Sequence, residues 1–99
     1  MNYLDELKDV VERLHGTQAT HIETVPVKEV FQGETMWDGA VEVFDLADHD
    51  KTDRVYAWAY DGDNGKTQHV TVLHIPPATS PENAVRSALV SEYRNERES

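Results

Sequence analysis

The side chains able to do chemistry in this 99-residue chain are its carboxylates and its five histidines. Asp48-His49-Asp50 with Asp53, and Asp61 with Asp63, are clusters of the hard oxygen donors that divalent cations prefer. Their spacing does not make a calcium-binding helix–loop–helix site. Counted from Asp48, the sixth position is Asp53 where the loop needs glycine; counted from Asp61, the sixth is Lys66 and the twelfth is Val72 where it needs glutamate. Acidic stretches of this type ordinarily form solvated turns, so no metal and no cofactor is expected. His69 and His74 lie five apart on one extended run and therefore point to opposite faces. His15 and His21 have no partner nearby in sequence. Ser80, Ser87 and Ser91 fall on a helical segment, outside any strand–turn–helix nucleophile elbow. Glu42 and Thr71 fall within strands, where a carboxylate usually finds a cross-strand partner. With no cysteine, thiolate metal sites, disulfides and cysteine nucleophiles are excluded. No catalytic constellation results, and the expectation is a protein that is not an enzyme.

The elements that position these residues are legible from periodicity and punctuation. Asn2 can cap a helix carrying Tyr3, Leu4, Leu7, Val10, Val11 and Leu14 on its apolar positions. Asp5 and Glu6 suit its first turn, Arg13 and His15 its last, and Gly16 the position just beyond. Ala19 to Phe31 reads as a strand that Pro26 confines to a sheet edge or a bulge. Gly33-Glu34 turns the chain into a second strand, Trp37 to Leu46, with Val41 and Val43 on one face and Ala40, Glu42, Phe44 and Leu46 on the other. Arg54 to Tyr60 and His69 to Ile75 flank a Gly/Asp/Asn cluster and form a hairpin. In its first strand Tyr56, Trp58 and Tyr60 share one face, and Val55, Ala57 and Ala59 the other. Pro76-Pro77 ends the last strand, and Ser80-Pro81-Glu82 starts a helix with Ala84, Val85, Ala88, Leu89 and Tyr93 as its stripe. The polar tail from Arg94 to Ser99 is expected to fray. The order α-β-β-β-β-α implies one α+β domain spanning residues 1–99. Its core is an antiparallel four-stranded meander sheet with the N- and C-terminal helices packed on one face.

Charge supplies the strongest constraint on partners. The chain carries 19 acidic against 9 basic side chains, for a net charge of −10. Much of the excess lies between Glu34 and Asp53, where seven carboxylates face Lys51 alone. Such a surface repels nucleic acid and anionic membrane and attracts a basic protein. No apolar run approaches the ~20 residues of a membrane span. The N-terminus also lacks a basic stretch followed by an apolar one, so the expected location is the cytoplasm.

Three resemblances bear on function. Arg54-Val55-Tyr56-Ala57-Trp58-Ala59-Tyr60 resembles the aromatic strand of RNA-recognition motifs, in which exposed rings stack bases. Val55 stands where that motif has glycine, Asp61 where it has its last aromatic, and the phosphate-neutralising charge is missing. The element order is similar to the α-β-β-β-α of double-stranded-RNA-binding domains, with one extra strand. The final helix here opens on Glu82, with Arg86 alone in place of a basic cluster. Finally, Trp37-Asp38-Gly39, Val41-Glu42-Val43-Phe44-Asp45-Leu46, Tyr56-Ala57-Trp58, Pro76-Pro77 and Ser80-Pro81 through Ala84-Val85-Arg86 resemble a group of short, uncharacterised bacterial proteins. That likeness would cover most of the chain; it implies a bacterial or mobile-element origin and no activity.

The function expected is therefore a non-enzymatic protein-interaction or regulatory domain. The alternative is an acidic mimic of nucleic acid that inhibits a basic nucleic-acid-binding protein, of the kind phages direct against host defence. The residues expected to bind protein are Tyr56, Trp58, Tyr60, Phe44, Asp45, Asp48, Asp50 and Asp53. Two helices covering only the Ala57 side would leave the three aromatics against water, flanked by Phe44 and Leu46. A homodimer through that sheet face would then bury them.

Overall fold

A computed structural model describes residues 3–61 and 65–98, with side chains for 3–60 and 65–90. Helix α1 spans Tyr3–His15, strands β1 to β4 span Ala19–Phe31, Glu34–Leu46, Arg54–Asp61 and Thr67–Leu73, and helix α2 spans Pro81–Glu98. The strands form one antiparallel sheet in the order β1-β2-β3-β4. The α+β meander expected from the sequence is the observed fold.

Local signals explain each element. In α1, Lys8 and Glu12 (3.7 Å) and Asp9 and Arg13 (3.0 Å) pair one turn apart. The helix stops where Gly16 takes φ +66° and its N–H bonds the Glu12 carbonyl at 2.9 Å. Only Leu7 and Val11 of its apolar positions are buried; Leu14 stays 63% exposed, so the stripe is narrower than its periodicity implies. The proposed cap Asn2 lies outside the described residues. Ser80 caps α2 by accepting the Asn83 N–H at 3.1 Å. Ala84 and Val85 are buried beneath it and Ala88 and Leu89 pack alongside, whereas the side chain of Tyr93 lies outside the described residues. The helix continues through Glu98, so the tail expected to fray is helical up to that residue.

The β1–β2 hairpin is longer than expected, because Gln32 and Gly33 form its two-residue turn with φ +52° and +80° and Phe31 pairs directly with Glu34. Pro26 does lie on an edge strand. Its partner is Ala40, between the hydrogen-bonded pairs of this ladder, so its missing N–H faces outward and no ladder bond is lost.

The helices do not share a face. Leu7 and Val11 of α1 pack with Ala19, Phe44, Leu46, Val55 and Ala57, while Ala84 and Val85 of α2 pack with Val27, Val41, Val43, Tyr56 and Trp58. Neighbouring residues such as Val43 and Phe44, or Val55 and Tyr56, thus belong to different cores. The reason is in the strands themselves: β2 and β3 are apolar on both sides, and each side needs a cover. One layer of sheet lies between two helices, and Arg86 ties α2 to β1 through Glu29 (3.2 and 3.4 Å).

Candidate functional site: an apolar cleft between two hairpins

The β2–β3 ladder is short. Glu42–Asp45 pair with Arg54–Ala57, and Leu46 N–H adds a bond to the Asp53 carbonyl at 2.8 Å. Beyond Glu42 and Ala57 the two hairpins part. On the α2 side the parting leaves a cleft of about 200 Å³ lined by Met36, Trp37, Trp58, Tyr60, Val70, Val85, Ala88 and Leu89. The Trp37 and Trp58 rings meet edge-on across it, with centroids 5.8 Å apart at 65°. Such a pair adds about 0.5–1.5 kcal/mol to the area it buries. Gly39 makes the arrangement possible: a Cβ there would lie 3.0 and 3.1 Å from the six-membered ring of Trp37, which folds back along its own strand. Trp58 is 3% exposed and forms the floor, whereas Met36 at 51% and Tyr60 at 40% form a rim open to solvent.

The opposite face holds a polar cluster around Glu42. A register shift between His21 and Glu23 inserts Ile22 as an extra residue in β1, so His21 aligns with Phe44 and Thr24 with Glu42. Both therefore reach the same side of the sheet, and both donate to Glu42 Oε1, at 2.9 Å from His21 Nε2 and 2.5 Å from Thr24 Oγ1. Glu42 is 3% exposed, so these bonds satisfy a carboxylate that water scarcely reaches. Tyr3 lies alongside. Burial, then the Glu42 charge, push its phenol above the usual value, and a hydrogen bond from Ala59 N–H works the other way. That N–H faces the side of β3 that β2 has left, and Tyr3 takes the place of the missing strand.

Near the far end of α1, His15 Nε2 lies 3.1 Å from Thr71 Oγ1, and its ring stands edge-on to His49 at 5.9 Å. Burial, then His49, lower the His15 pKa. Lys51 N–H donates to His49 Nδ1 at 3.1 Å, and an Asp50 carboxylate oxygen lies 3.8 Å from the same nitrogen. Tyr56 Oη bonds His74 Nδ1 at 2.6 Å; burial raises its pKa, Arg54 opposes this, and Glu23 and Glu82 add to it.

The residues expected to bind protein are not brought together. Trp58 and Tyr60 line the cleft. Tyr56 is 2% exposed beneath α2, which rules out three aromatics standing free on an open face. Phe44 and Leu46 belong to the α1 core, because residues opposite Val55 share its face and not that of Tyr56. Asp45 pairs with Arg54 at 3.4 Å, and Asp48, Asp50 and Asp53 sit in the β2–β3 loop. The carboxylates from Glu34 to Asp53 do not form one row. Glu34 and the loop lie at opposite ends of a 13-residue strand in a molecule 38 Å long. Glu42 between them is buried, and Asp38 faces Lys28. Among the described residues no group of three or more His, Asp or Glu is placed to hold a metal; Asp63 lies outside them. No helix among them is long and apolar enough to cross a membrane.

Sequence reasoning missed Met36, Trp37, Val70 and Leu89 as cleft residues, and His21 and Thr24 as partners of Glu42. The spacing Trp37-x-Gly39 carried a usable signal, since a glycine two residues along a strand leaves room for a ring on the same face. Nothing in the sequence marked Ile22 as a bulge. No protein-family model matches the chain, and neither a curated protein nor a solved structure matches it.

Proposed function

We propose that this protein is a non-enzymatic interaction module that takes a basic protein segment by admitting one of its apolar side chains to the cleft of Met36, Trp37, Trp58 and Tyr60. One observation carries the reading: the concave site is lined by apolar and aromatic side chains, and the buried polar cluster around Glu42 lies on the other face of the sheet. The cleft holds no acid–base side chain except the Tyr60 phenol, while Glu42, His21 and Thr24 bond one another beneath the α1 side. A small apolar pocket with aromatic walls suits recognition of an anchor residue. The sign of the partner follows from charge: the whole chain carries −10, so a cationic segment gains in approach rate and an anionic one is repelled.

Fluorescence anisotropy with labelled peptides tests the reading. The panel carries a central Leu or Phe flanked by lysines, or the same centre flanked by glutamates. Lysine-flanked peptides are expected to bind with an affinity that falls as salt rises, and Met36→Asp, at an exposed rim position, is expected to abolish binding without unfolding the protein. Equal binding of both sets, or full binding by Met36→Asp, contradicts it.

A further inference from the structure

The sheet has two edges, and they are not equally protected. On β1 the bulge at Ile22 breaks the line, Pro26 removes an outward N–H in mid-strand, and Glu23 and Lys28 add charge. These are the devices by which edge strands avoid pairing with other chains. On β4, Thr67-Gln68-His69-Val70-Thr71-Val72-Leu73, none of them is present. The strand has no proline, no bulge and no formally charged side chain, and from Thr67 to Pro81 the sequence contains no Asp, Glu, Lys or Arg. Every other element of the fold carries charge.

The direction of the free backbone groups follows from the ladder. His74 N–H bonds the Arg54 carbonyl at 3.0 Å, which makes 54/74 a hydrogen-bonded pair. By antiparallel alternation Tyr56/Val72, Trp58/Val70 and Tyr60/Gln68 are the next such pairs. Thr67, His69, Thr71 and Leu73 therefore present their N–H and C=O groups outward. Among the described residues, only the Leu73 carbonyl has a further backbone partner, the Ile75 N–H at 2.8 Å. Thr67, Gln68 and His69 are exposed, and Ile75, at 38% exposure, extends the uncharged rim.

We propose that this edge pairs with β4 of a second copy of the chain, antiparallel about a two-fold axis at Val70. That register aligns His69 with the partner's Thr71 and Thr67 with the partner's Leu73, and brings the two Val70 side chains together on the α2 side. Charge selects the occupant. Two molecules at −10 each repel one another over most of their surfaces, and the β4 edge is where copies meet without opposing carboxylates. The contact is small beside the ~1,600 Å² of a standard interface, which places it among weak, transient associations. It adjoins the cleft, which Val70 also lines, but its backbone pairing along β4 requires no occupant in the cleft.

Sedimentation velocity over a micromolar range tests it, together with amide hydrogen exchange. The wild type is expected to pass from monomer to dimer, at lower concentration in higher salt, as screening relieves the repulsion. The His69 and Thr71 amides are expected to gain protection as the dimer forms. Thr71→Pro deletes the outward N–H beside the axis without touching the β3 ladder, and His69→Asp sets a carboxylate on each side of it. Both variants are expected to be monomeric with the circular dichroism of the wild type, and His69→Asp carries the test if Thr71→Pro fails to fold. A wild type that remains monomeric throughout overturns the proposal. So does a dimer that His69→Asp leaves intact, or one in which the two amides exchange at the monomer rate.

Discussion

Ile22 decides where the polar groups of this protein meet. Without the extra residue, His21 and Thr24, three apart, would point to opposite faces of β1; with it, both reach the single oxygen Glu42 Oε1. His15 is placed with similar economy, on the last turn of α1 between Thr71 of β4 and His49 of the β2–β3 loop. Burial, then His49, lower its pKa in the folded state. The unfolded chain therefore binds a proton that the folded one resists, so stability rises with pH through the window just below the ordinary histidine value of about 6.5 and levels off above it. Urea titrations across that window are expected to show the slope in the wild type and a shallower one in His15→Gln. An equal slope in the two proteins would mean that His15 is not the group responsible.

At the scale of elements, α2 matters most, because it closes the core over Tyr56 and Trp58 and supplies Val85, Ala88 and Leu89 to the cleft. Ser80 Oγ satisfies one of the four N–H groups that open this helix. Ser80→Ala is expected to cost about 1 kcal/mol of stability, read as a lower urea midpoint with an unchanged slope. The elements themselves could be read from the sequence because each carried local chemistry: Gly16 after α1, Ser80-Pro81 before α2, and Pro26 on an edge strand. What could not be read was set by pairing. Whether Phe44 lies beside Tyr56 or behind it depends on the partner of Val55, and that register is a non-local fact. Tyr56 and Trp58 would be open to solvent only if both helices covered the other face. The apolar residues on both sides of β2 and β3 were the evidence against that assignment, and they were visible in the sequence throughout. The cleft was half legible: Trp58 and Tyr60 stood out as part of an aromatic face, but their wall, Trp37, comes from a strand whose pairing with β3 ends before it arrives.

The whole molecule joins a strongly negative net charge to an apolar recess open to solvent. The chain contains two tryptophans, Trp37 and Trp58, and both line it. Their emission is therefore a report from the site without any label. The decisive measurement is a titration of the unmodified protein with a tyrosine- and tryptophan-free peptide of leucine flanked by lysines, followed by tryptophan emission at low and at moderate salt. A saturable blue shift, weaker at the higher salt, is expected as the leucine covers the solvent-open side of the two rings. Binding of the peptide by an independent method with no change in emission would place the contact elsewhere on the acidic surface, and would contradict the assignment of the cleft as the binding site.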